Sequence, residues 1–187
     1  MPAPIAPAAR AEAFTSSKRG ISDFRAGSII VSTIDRPMRS RFRRHGRGAV
    51  EQRLEWIAEV IRAMEADVVA LQEVIGAGPT GLGQAEEIGA ALGMGWVMHP
   101  VRQLRGHHFG NVVMSRFPIV HHGHYDLTWR SCEERACQRA DLDLGEGAVL
   151  HIYNVHLGTA VLERRYQAGR LASFVHDHRV KGPKVIL

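Results

Sequence analysis

Cysteine is nearly absent from this 187-residue sequence, which contains only Cys132 and Cys137. A framework of several disulfides is thereby excluded, and with it a stapled secreted miniprotein. Long apolar runs are missing too, since none approaches the roughly 20 residues of a membrane-spanning helix. An integral helical membrane protein is excluded. The opening MPAPIAPAAR has no basic n-region and residues 11–28 have no apolar h-region, so no secretory signal is expected. Residues 1–28 read as a mobile extension, and the expected compartment is the cytoplasm, with both cysteines as thiols. There is no internal repeat and no G-x-S-x-G elbow, and nothing pairs either cysteine with a specific base.

What is present is a chain of 45% apolar residues, enough to bury a core in one domain or in part of a larger one. Basic residues outnumber acidic ones by 24 to 19, but six arginines fall within RPMRSRFRRHGR, residues 36–47, which holds no acid. Outside that run 18 bases face 19 acids, so the basicity is local. Such a run attracts phosphate chains, and Arg41, Arg43 and Arg44 at its centre are candidate phosphate contacts. A solvated loop is the alternative.

SIIVSTI, residues 28–34, is short, β-branched and apolar, and predicts a buried strand. Val50, Leu54, Ile57, Ile61 and Met64 follow at helical spacing, and DVVALQ, residues 67–72, predicts a second strand beside the first. GAGPTGLG predicts a loop, and residues 84–92 a short helix closed by Gly93. Further strands are expected at 96–99, 111–115, 136–144 and 148–155. His121, His122 and His124 fall in an expected turn. Val161, Ala168, Leu171, Ala172 and Val175 mark a helix running to about residue 178, and KVIL begins a last strand. Short strands with few helices favour an α/β sandwich over a regularly alternating doubly wound sheet.

Two positions stand out. Strand alternation places Glu73 on the face of Val69 and Leu71, a carboxylate where a buried face reaches the strand end, suited to a hard cation such as Mg²⁺. Leu150, Ile152, Asn154 and His156 likewise share a face, so a polar pair completes a buried strand; imidazole is the side chain for proton movement or phosphoryl contact near neutral pH. Two patterns point elsewhere and fail on context. Residues 76–81 match G-x-G-x-x-G, yet three residues separate them from the strand, Pro79 interrupts them, and no acid lies about 20 residues beyond. The His and Cys residues between 121 and 137 do not reproduce structural zinc spacing.

Taken in order, DVVALQEV, GNVVMSRFPIV, EERACQRADLDL and YNVHLG followed by ERRYQAGRL resemble the endonuclease/exonuclease/phosphatase superfamily over residues 29–187. The resemblance implies a four-layered α/β sandwich, two packed β-sheets with outer helices. It also implies hydrolysis of phosphodiester or phosphomonoester bonds in nucleic acids, inositol phosphates or phospholipid headgroups, with Mg²⁺ or alternatively Mn²⁺. By the same resemblance Glu73 ligates the metal, and His156 contacts the scissile phosphate with Asn154 beside it. Asn111 belongs to the "G-N-x-x-x-S" strand and Arg135 to the "E-x-R" segment. Asp35 stands where the family has an Asn bordering the metal. The family's Gly-Asp-x-Asn and Ser-Asp-His motifs do not occur in the sequence. The expectation is therefore a partial domain, weak or inactive as a hydrolase; the competing expectation is a non-catalytic binder of nucleic acid or a phosphate ligand through residues 36–47.

Overall fold

Two four-stranded sheets pack face to face between helices. The computed structural model describes residues 29–33 and 47–187 except 80. Residues 1–28, Asp35, Arg41, Arg43 and Arg44 lie outside the described residues.

The first sheet begins with β1 (Ile29–Thr33), joined through α1 (Arg47–Ala63) to β2 (Val68–Ile75), which lies parallel to it with Ile29 opposite Val68. A parallel neighbour needs such a crossover. In α1, Leu54, Ala58 and Ile61 recur every three or four residues and are buried. Met64, expected on the same stripe, is 56% exposed because the helix has already ended. α2 (Gln84–Leu92) carries Ala85 and Ile88 to the core and stops at Gly93, whose φ of 62° and ψ of 36° form a left-handed cap. β3 (Gly95–Leu104) and β4 (His107–Ser115) form a hairpin. Its two turn residues, Arg105 (φ 53°) and Gly106 (φ 84°), both take the positive φ of a tight two-residue turn.

The second sheet runs β5 (Ile119–Asp126), β6 (Ala136–Asp143), β7 (Val149–Val155) and β8 (Lys184–Ile186), with α3 (Val161–Val175) as the crossover to the parallel β8. β5 replaces the expected histidine turn. It is an edge strand with much of its surface in solvent, so its apolar alternation is faint. α3 also differs from its expected stripe: Val161 is 72% exposed, whereas Glu163 and Gln167 are buried. Polar contacts to the preceding loop, described below, orient its first turns; only its second half, through Leu171, Phe174 and Val175, packs on Tyr153 and Val155.

Three apolar clusters fill the gaps between four layers. α1 and α2 cover Val69, Leu71, Val74, Val112 and Met114; Val68, Val113, Ala140, Leu142 and Ile152 meet between the sheets; α3 covers the far side of the second sheet. The four-layered sandwich is as expected.

Candidate active site

At one end of the inter-sheet layer the apolar filling gives way to carboxamides. Asn154 of β7 is fully buried, and its Nδ2 donates to the backbone oxygens of Leu71 and Val112 in the first sheet, both at 3.0 Å. Gln72 returns the contact, its Nε2 donating to Asn154 Oδ1 and to the Val155 carbonyl, both at 3.1 Å. Gln138 Nε2 donates to Val97 O at 2.9 Å, and Asn111 Nδ2 donates to Ala136 O at 3.2 Å and Asn154 O at 3.4 Å. Buried amides with satisfied partners hold one geometry, because every slip would leave a polar group unpaired.

This clip fixes the residues that follow it. The ladder between β2 and β4 is regular from Val68 to Leu71, then shifts register before Val74, and Glu73 within the shift has φ of 55°. A β-bulge re-aims the side chain it carries. Simple alternation, which groups Glu73 with Val69 and Leu71, is therefore corrected: Val74 continues that helix-facing set, and Glu73 turns into the cleft between the sheets. There its Oε1 lies 3.8 Å from Nδ1 of His156, the residue just past β7. The two side chains are 24% and 29% exposed, sheltered yet open to a ligand.

The loop behind His156 is held as tightly. Gly158 N–H donates to Gln167 Oε1 at 2.8 Å, and Gln167 Nε2 donates to Glu163 Oε1 at 3.2 Å. A Cβ on Gly158 would meet the Glu163 carboxylate at 1.9–2.1 Å, so any other residue must push that carboxylate off Gln167.

Of the residues singled out from sequence, Glu73, Asn111, Arg135 and His156 line one cleft, joined by Arg102 and Phe109. Asn154 does not line it and instead braces its walls. Gln72, Gln138 and Arg102 were not anticipated. Gln138 carried a readable signal, a polar residue in the inward series with Ala140 and Leu142; Arg102, near a bulge between Pro100 and Arg102, did not. A second cleft adjoins the first past Arg135 and is walled by the stacked rings of His99 and His124, 3.8 Å between centroids. Burial, then the neighbouring His124 and His122, depress His99 to about 4, so it stays neutral at pH 7. The G-x-G-x-x-G stretch folds on itself through paired Gly78 and Gly81 hydrogen bonds, and α2 begins only at Gln84.

Of the two carboxylates expected to hold a divalent cation, Glu73 lies in the cleft and Asp35 falls outside the described residues. Among the described residues no three carboxylate, imidazole or thiol groups converge into a closed metal site. A half-sheltered carboxylate in an open cleft nevertheless fits Mg²⁺, which keeps several waters and takes one or two carboxylates plus substrate phosphate.

Two sheets clipped by buried amides, presenting a carboxylate and an imidazole at adjoining strand ends, define a four-layered α/β sandwich with a polar cleft at one end. The family model described as "Endonuclease/Exonuclease/phosphatase family" matches residues 45–187, and the chain belongs to that family. It is 29% identical over 137 residues to the uncharacterized protein YbhP of Escherichia coli K12, covering 65% of this chain and 52% of YbhP. The chain thus spans about half the length of the curated relatives it matches. Among solved structures, an endonuclease/exonuclease/phosphatase from Beutenbergia cavernae superposes with a TM-score of 0.53 at 27% identity, over 71% of this chain and 40% of that one. The mannosyl-6-phosphatase Bt3783 of Bacteroides thetaiotaomicron shares the fold with a TM-score of 0.63 at 16% identity, over 84% of this chain and 62% of its own. No helix among the described residues is long and apolar enough to cross a membrane.

Proposed function

We propose that the cleft binds a phosphate ester and that Glu73 and His156 form its hydrolytic centre. The observation that carries this is their convergence from different sheets, Oε1 to Nδ1 at 3.8 Å, enforced by the Gln72–Asn154 clip. Glu73, with Asp35, would hold Mg²⁺ or Mn²⁺, which when bound offsets charge on phosphoryl and leaving-group oxygens. His156 donates a ring N–H to a phosphoryl oxygen, and Arg135 supplies positive charge at the cleft wall. Asn111 and Asn154 position the walls by consuming backbone carbonyls of both sheets.

The 187 residues contain neither a Gly-Asp-x-Asn nor a Ser-Asp-His motif, so no second aspartate and histidine orient the attacking water. Weak turnover by this chain alone follows, since general acid–base help is worth ~10²–10⁴-fold. Nucleic acids, inositol phosphates and phospholipid headgroups are the candidate substrate classes, and a reducing compartment, the cytoplasm, suits two unpaired cysteines. Hydrolysis of bis(4-nitrophenyl) phosphate and 4-nitrophenyl phosphate with Mg²⁺ tests the reading. The expected result is slow, metal-dependent release, abolished by Glu73→Ala and cut ~10²–10³-fold by His156→Ala. Release indifferent to Glu73→Ala would overturn the site, and robust turnover would overturn the weak-activity part. The arginine run at residues 36–47 favours a second reading, a nucleic-acid binder; it predicts steeply salt-dependent binding without metal-dependent cleavage.

A further inference from the structure

Glu133, in the connection between β5 and β6, bridges two arginines from different sheets. Its Oε1 pairs with Arg102 Nη1 at 2.6 Å and its Oε2 accepts from Arg135 Nη2 at 2.8 Å. Arg102 belongs to β3 of the first sheet, and Arg135 immediately precedes β6 of the second; both line the cleft that holds Glu73 and His156.

Neither cation depends on Glu133 for its place. The Arg102 guanidinium rests over the Phe109 ring, 4.7 Å from its centroid. Arg135 is only 13% exposed in its side chain, its backbone N–H donates to Thr128 Oγ1 at 3.2 Å, and its carbonyl accepts from Leu127 N at 2.8 Å. Its Nε is buried with no hydrogen-bond partner among the described residues. The acid is 43% exposed, as open to solvent as Arg102 at 40%. Two placed guanidinium forks converging on one carboxylate have the chemistry of an anion site, and here a side chain of the same protein fills it.

We propose that Arg102 and Arg135 clamp a second anionic group of the substrate, a phosphate next to the scissile one, and that Glu133 occupies the clamp until that group displaces it. This rests on the reading of Glu73 and His156 as the centre for the scissile phosphate. Ion pairs exposed to solvent contribute little net stability, so the carboxylate is a weak occupant. A phosphate brings up to two charges and three strong acceptor oxygens, and arginine forks match it bidentately. The consequence is selectivity: esters carrying neighbouring phosphates bind better than those with a single one, and Glu133 raises the threshold for entry.

Titration of the full 187-residue chain with inorganic phosphate, metal-free and at low salt, tests the clamp without calling on turnover. Glu133→Ala is expected to tighten phosphate binding about 5-fold or more. Glu59→Ala, which removes the same charge from the exposed face of α1 away from the cleft, is expected to change it less than about 2-fold. Adding Arg102→Gln to Glu133→Ala is expected to erase the gain, with the circular dichroism spectrum of each variant matching that of the parent. No gain from Glu133→Ala, an equal gain from Glu59→Ala, or a gain that survives Arg102→Gln would each overturn the clamp. The expected binding pattern in a chain whose hydrolysis ignores Glu73→Ala would support the clamp while removing the hydrolytic reading.

Discussion

Glu73 holds a left-handed backbone, φ 55°, that costs a non-glycine residue about 1–2 kcal/mol, and it does so where its carboxylate lies beside His156. The strain belongs to the backbone position, so it persists in Glu73→Ala and is relieved in Glu73→Gly. Thermal unfolding should therefore find Glu73→Gly more stable than Glu73→Ala by about 1 kcal/mol, with the proposed hydrolysis lost in both. The opposite order would show that the bulge is not strained at this residue. Gly158 is the converse case, a position where a side chain must displace the Glu163 carboxylate; Gly158→Ala is expected to lower stability by about 1–3 kcal/mol, read as a fall in melting temperature. The type and place of Glu73 and His156 were legible in the sequence as polar groups at the ends of apolar strands. How Glu73 reaches the cleft was not. DVVALQEV holds no Gly or Pro to mark a bulge, and a register shift created by pairing with β4 leaves no mark in one strand's composition.

At the level of elements, β2 and β7 are fastened by side chains rather than by a ladder. Gln72 is central because it donates to Asn154 Oδ1 and to the Val155 carbonyl, one residue before each functional group. Gln72→Leu would strand both acceptors in a buried layer, and denaturant unfolding is expected to show a loss of about 1–3 kcal/mol. A neutral result would mean that water replaces the amide. Most strands and helices could be placed from periodicity, because α1, β2, β4, β6 and β7 bury continuous apolar faces. The misreadings share one cause: β5 and the first turns of α3 are held by contacts that composition does not encode. β5 is an edge strand, with His124 stacked on His99 across the sheets, and α3 turns Glu163 and Gln167 inward to hold a loop.

For the molecule as a whole, the four layers depend on a second polar cluster remote from the cleft. Asp141 of β6 accepts from Arg139 Nε at 2.7 Å and lies 2.7 Å from His151 Nδ1, while His151 Nε2 donates to Lys181 O at 2.8 Å, tying the approach to β8 onto the sheet. Burial alone would raise the Asp141 carboxyl, but hydrogen bonds and charge from Arg139 and His151 outweigh it and hold it below the ordinary carboxylate range. A carboxyl depressed in the folded state stabilises the protein above its unfolded pKa, about 3.9, and that contribution is lost as pH falls through the folded value. The melting temperature should therefore drop as pH falls below about 4. Asp141→Asn should be less stable at pH 7 and flatter in acid; a variant matching the parent at both pH values would contradict the linkage. The layer architecture was legible from the order of strands and helices, whereas this cluster was not, because only pairing brings residues 139, 141, 151 and 181 together. The proposal that Glu73 and His156 form a single phosphate and metal centre is tested most directly by Mn²⁺ binding, followed by electron paramagnetic resonance with and without inorganic phosphate. The predicted result is Mn²⁺ binding that phosphate tightens in the parent chain, that Glu73→Gln abolishes, and whose phosphate response His156→Ala removes. Mn²⁺ binding unchanged by Glu73→Gln, or no binding in the parent chain, would contradict it.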